Sequence, residues 1–286
     1  MKKLQLTLIF NLLILAAFAQ TSIWKVSKDG KELYLGGSVH ILRPSDYPLP
    51  SEFDAAFKNA KKVVFETDIS KLEDPQVAQS LMMKSIIKGD KTLKDLISDD
   101  VYKLLEAEAS KVSLPLANMG KFKPSMIVLT LTMLKMQKSG MSSQGVDKYF
   151  FSKSKENEKE LSYLESVDKQ LEVLTSMGEG DEDNFVKYSL KDFKNMQKHL
   201  SDLISTWRDG TSKTMKKQLK DMKTEFPSIY ESLLVERNNN WLPKIEGFLS
   251  DKKVEFVIVG ALHLHGEDGL LSKLKNKGYN VEQFQL

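Results

Sequence analysis

The chain has 286 residues, with 42 Lys+Arg against 39 Asp+Glu and a formal net charge of +3. That balance excludes the basic excess of a nucleic-acid binder, and 41% hydrophobic with 28% charged residues excludes a wholly disordered chain or a multi-span membrane protein. With no cysteine and four histidines, disulfides and thiol chemistry are excluded, and a metal could be held only by His, Asp or Glu.

Lys2 and Lys3 precede an apolar run from Leu4 to Ala16, and Ala17-Phe18-Ala19 gives a small-x-small cleavage site. This layout predicts a secretory signal peptide over residues 1–19, with an uncleaved anchor as the alternative. The run is short of the ~20 apolar residues of a membrane span, and no later segment is long and apolar enough to be one. The mature chain, residues 20–286, is expected to be a single exported domain, periplasmic or secreted.

Ile23–Val26 and Lys31–Gly36 read as a hairpin around Asp29-Gly30. A loop with Pro44, Pro48 and Pro50 leads to a helix from Ser51. Lys62–Asp68 reads as a buried strand ending in carboxylates. The stretch from Pro75 to about Met141 is helical, followed by a helix over Gly145–Lys155, a strand over Glu160–Glu165 and a helix over Val167–Met177. Asn184 to about Lys223 reads as polar and helical, and Phe226–Phe248 as one or two helices interrupted near Pro243. The end is a β-α-β unit: strand Val254–Gly260, helix Leu270–Lys277 and strand Tyr279–Phe284. Strands separated by helices predict a helix-rich α/β fold. A small central sheet would be built from N-terminal, middle and C-terminal strands, with a helical insertion over about 70–250.

One internal echo carries chemistry. Gly37-Ser38-Val39-His40 and Gly260-Ala261-Leu262-His263 share the pattern G-x-x-H, and each follows an apolar strand. Such turns lie at the C-terminal sheet edge, where open α/β sheets build their ligand sites. Glu66 ends a third apolar strand. Two His and one Glu from three strand ends would leave a fourth coordination position open, the arrangement of a catalytic metal. Arg237 could hold a substrate carbonyl or oxyanion. The plainer readings are two inert turn histidines, a capping or salt-bridged Glu66, and an Arg237 that pairs with Glu66 or Asp68. Glu165 ends the middle strand and could orient a ligand or pair with Arg237. His265 is expected to face solvent and His199 to lie on the surface. Met82, Met83, Met119, Met126 and Met133 are expected to fill core. There is no G-x-G-x-x-G after a strand, no phosphate loop and no G-x-S-x-G elbow.

Taken in chain order, several segments resemble the TraB/GumN (TraB/PrgY/GumN) family. They are Leu33-Tyr34-Leu35-Gly36-Gly37-Ser38-Val39-His40, Phe65-Glu66-Thr67-Asp68, Gly145-Val146-Asp147, and Tyr163-Leu164-Glu165-Ser166 with Gln170. The series continues with Glu236-Arg237-Asn238, Val259-Gly260-Ala261-Leu262-His263-Leu264 with Gly266 and Gly269, and Gly278-Tyr279-Asn280-Val281. Ser38 stands where the family more often has Thr. The resemblance extends to the Tiki proteases and to erythromycin-esterase-like proteins. It implies an active site of His40, Glu66 and His263, with Arg237 and Glu165 in the family's Arg and mid-chain Glu positions. It further implies a divalent metal (Mn, Co or Zn) on His40, Glu66 and His263, and hydrolysis of a peptide or small-molecule substrate. Two alternatives follow from the same relatives. One is a metal-independent esterase-like hydrolase with His40 as general base, and the other is an exported protein that binds peptide without cleaving it.

Overall fold

The computed structural model describes residues 21–141, 144–193, 196–250 and 252–286. The expected signal peptide at 1–19 lies outside them. Six strands form one mixed sheet: β1 (Ile23–Lys28), β2 (Lys31–Ser38), β3 (Lys62–Phe65), β4 (Glu160–Tyr163), β5 (Glu255–Gly260) and β6 (Asn280–Gln283). Their order is β4-β3-β5-β2-β1-β6. β1 and β2 form the expected hairpin, whose turn places Asp29 at φ 52° and Gly30 at φ 74°, the left-handed pair that tight hairpin turns require.

β4, β3, β5 and β2 run parallel. Their C-terminal ends therefore share one edge, and β5 lies at the centre with Ser38 opposite Gly260 and Phe65 opposite Ile258. β5 is buried on both faces, which explains its unbroken apolar sequence. Alternate residues face opposite cores. Phe256 and Ile258 pack with Phe53, Phe150 and Trp207 on one side. Val257 and Val259 pack with Trp241, Leu264 and Leu270 on the other. The helical stretch builds a core of its own, which includes Leu93, Leu105, Ile127, Phe185 and Ile229.

Several expectations meet a different outcome. β3 stops at Phe65 and β4 at Tyr163, so Glu66 and Glu165 lie just past the ladder. The expected long helical run from Asn184 is three helices, Glu182–Phe193, Met196–Arg208 and Lys213–Glu225, with Gly210 at φ 61° between the last two. Pro243 does not interrupt its helix, which runs from Glu236 to Phe248. Burial of Arg237, Asn238, Trp241, Leu242 and Ile245 along it outweighs the ~3 kcal/mol that an interior proline costs. The irregularity comes earlier, as a π-turn over Glu231–Val235. Met82, Met83 and Met133 are exposed and not core filler, while Met119 and Met126 are partly buried. Among the described residues no helix is long and apolar enough to cross a membrane.

Candidate active site

The shared strand edge gathers the predicted residues. Two hydrogen bonds carry the β3–β4 pairing past the end of β4: Leu164 N to Phe65 O at 3.0 Å and Glu165 N to Glu66 O at 2.8 Å. This sets the two carboxylates side by side. Arg237 is buried between them. Its Nη2 donates to Glu66 Oε2 at 2.6 Å and to Glu165 Oε1 at 2.7 Å, and its Nε donates to Glu165 Oε2 at 3.2 Å. Trp241 Nε1 donates to the same Glu165 oxygen at 3.1 Å, and the guanidinium lies 4.5 Å from the Trp241 ring centre. Arg237 thus takes the plainer partner Glu66 together with Glu165, and not Asp68. Asp68 caps the following turn by accepting from Ser70 N.

Glu66 remains a carboxylate. Burial opposes its charge, but Arg237, His263, His40 and the Gly260 N–H, which donates to Oε1 at 2.6 Å, outweigh it and hold its pKa down to about 2.

His263 is buried on the turn after β5. Asn238 Nδ2 donates to His263 O at 3.1 Å and to Asp268 O at 2.9 Å. The Asn238 oxygen therefore faces His263 Nδ1, at 2.8 Å, and Nδ1 must carry the proton. Nε2 keeps its lone pair and accepts from Arg237 Nη1 at 3.2 Å. Burial, with help from Arg237 and His40, pushes the ring's pKa down to about 3, so it is neutral.

His40 sits at the rim with 57% of its side chain exposed. Its Nδ1 lies 3.2 Å from Asp147 Oδ1, which also accepts from Ser38 Oγ at 2.8 Å. The Asp147 carboxylate raises its pKa to about 9, and water at the open ring screens part of that pairing. Gly145 brings Asp147 there. A Cβ at 145 would lie 2.3 Å from the His40 carbonyl, so only glycine lets the two backbones dock, and Val146 N then donates to Val39 O at 3.1 Å.

Gly260 is the meeting point. A Cβ there would lie 3.3 Å from Glu66 Oε1, 3.4 Å from His263 Cδ2 and 3.6 Å from His40 Nε2. A cleft of about 240 Å³ opens at this place. All five predicted residues thus come together. The family model for TraB/PrgY/gumN matches residues 22–283, spanning every one of them. The chain belongs to the TraB/PrgY/gumN family. Uncharacterized protein YbaP of Escherichia coli (strain K12) is 22% identical over 246 residues, covering 86% of this chain and 88% of YbaP. YbaP of Shigella flexneri is 23% identical over 243 residues, covering 85% and 87%. No solved structure matches.

The family member's residues do not fit a metal as they stand. Among the described residues no three His, Asp or Glu side chains are grouped to hold an ion. Both Glu66 oxygens already accept hydrogen bonds, and the Arg237 cation faces His263 Nε2. Sequence reasoning gave no role to Asp147, Asn238 or Trp241, although the first two lie inside the quoted family segments. His265, expected to face solvent, is instead buried, its ring edge-on to Trp24 at 5.1 Å. The helical turn Ala261–Leu264 ends at His265, whose extended backbone leaves the ring against Trp24. His199 is partly exposed on the helix Met196–Arg208.

Proposed function

We propose that the chain is an exported hydrolase that adds water to the carbonyl of a peptide or a small-molecule amide or ester. The observation that carries this reading is the convergence of His40 Nε2, Glu66 and His263 on Gly260, with Arg237 beside them. Asp147 orients the His40 ring and strengthens it as a base, as a carboxylate does for a catalytic imidazole. Nε2 takes a proton from water while the water oxygen bonds to the carbonyl carbon. Among the described residues, Arg237 Nη1 makes only a 3.2 Å contact to His263 Nε2 and a 3.4 Å contact to Leu233 O. Both partners are neutral, so this N–H group can turn to the developing oxyanion. His40 then gives its proton to the leaving nitrogen or oxygen as the C–N or C–O bond breaks. Because Asp147 raises the His40 pKa, kcat/KM rises with pH as the imidazolium loses its proton.

A divalent metal on His40, Glu66 and His263 is the second reading. It is favoured by the anchoring of Nδ1 in both histidines, the outer-partner pattern of metal-binding imidazoles. It requires Arg237 to release Glu66 and His263.

Mass spectrometry of peptides incubated with the mature protein tests the reaction class. New termini that His40→Ala does not produce support hydrolysis. Intact peptide that co-elutes with the protein would make it a peptide-binding protein instead.

A further inference from the structure

Part of the cleft lining is wholly apolar. Leu203, Met222, Leu233, Leu234 and Leu262 line it. They come from the helices Met196–Arg208 and Lys213–Glu225, the π-turn and the turn after β5. The last four belong to or pack on a small apolar cluster around Tyr230, and Leu203 and Leu262 also pack on the sheet core of Phe256 and Ile258. All but Leu234 are only partly buried. Partly exposed apolar side chains gathered beside a polar centre mark a binding groove. The volume of about 240 Å³ is below the ~300–1,000 Å³ that encloses a drug-sized ligand, which leaves room for one side chain. The charges alongside are three carboxylates, Glu66, Glu165 and Asp147, against Arg237 and His40. A substrate carboxylate here would add a fourth anion to two cations.

We propose that this wall is a specificity subsite for a neutral apolar group, the size of one leucine, methionine or phenylalanine side chain, next to the hydrolysed bond. The inference rests on the hydrolase reading. The test is a set of peptides of equal length that differ at one position next to the cleaved bond, carrying Leu, Phe, Ala or Asp. Pocket contacts discriminate by roughly 10–200-fold per group. The Leu and Phe peptides are expected to exceed Ala by about tenfold and Asp by about 100-fold in kcat/KM. Leu203→Lys is expected to cut the Leu-to-Ala ratio by about tenfold and to raise the Asp peptide relative to both. Thermal melting checks that this variant folds, and Met222→Ser, with the same expected loss of ratio, replaces it otherwise. Equal rates for all four peptides would overturn the subsite and leave hydrolysis standing. If none is cleaved, the same peptides are compared by binding. A tenfold preference for Leu over Asp then supports the subsite while the hydrolase reading falls, and equal affinity overturns both.

Discussion

The two G-x-x-H turns end neighbouring parallel strands, yet their histidines live in opposite environments. His263 is buried, held by Asn238 and faced by Arg237, and its pKa is driven down to about 3. His40 is more than half exposed, paired with Asp147, and its pKa is raised to about 9. The strand end delivers each ring to the same few ångströms of space. The helix that packs over it decides whether it is a fixed neutral group or a proton carrier. One motif thus supplies a rigid half and a titrating half of the site.

The largest test falls on the rigid half. Arg237→Ala strands two buried carboxylates and is expected to cost about 3–5 kcal/mol in chemical denaturation. Asn238→Ala removes the acceptor of the His263 Nδ1 proton and is expected to cost about 1–3 kcal/mol. Nitrogen NMR should then show the loss of a single His263 tautomer, and retention of that tautomer would break the assignment of Asn238 as its anchor.

Acid should separate the halves. Glu66, lowered to about 2, stabilises the fold above its ordinary value of 4.5, and that contribution is lost as pH falls toward 2. His263 stays neutral down to about 3, while the unfolded ring takes up a proton below 6.5, so stability falls across that window as well. His40 has the opposite sign: its pairing stabilises fully below 6.5 and fades as pH rises through about 9. Denaturant midpoints from pH 7 to pH 3 should fall steadily in the wild type.

On the mobile-proton half, Asp147→Asn is expected to cost less than about 1 kcal/mol because the pair is screened. It should lower the His40 pKa measured by NMR and move the alkaline rise of kcat/KM to lower pH. Gly260→Ala has the smallest expected effect on stability. Its methyl would lie 3.3 Å from Glu66 Oε1, tighter than most such contacts, and 3.4–3.6 Å from His263 and His40, so a shift of a few tenths of an ångström accommodates it. It would nonetheless fill the place where water must sit, so activity should fall at least tenfold with stability changed by less than about 1 kcal/mol.

Much of this arrangement is legible in the sequence. The Asp29-Gly30 turn, the apolar run of β5 and the glycines before both histidines announce strands and their exits through local chemistry. Glu66 is readable as a carboxylate that a buried strand end cannot leave unpaired. The partners are less legible because they depend on long-range packing. Nothing near Asp147 in sequence reports that Gly145 lets its backbone dock on His40. Asn238 is one residue from a recognised arginine, but its two carbonyl partners lie 25 and 30 residues away. His265 reads as solvent-facing because the ring it packs against, Trp24, comes from the other end of the chain.

The most direct test of the central claim is the rate of peptide or ester hydrolysis before and after exhaustive chelation, in wild type and in His40→Ala. Hydrolysis that continues at an undiminished rate without divalent ions, and stops in His40→Ala, is the result expected if His40, Asp147 and Arg237 perform the reaction themselves. Hydrolysis that vanishes on chelation and returns with Mn, Co or Zn would contradict it.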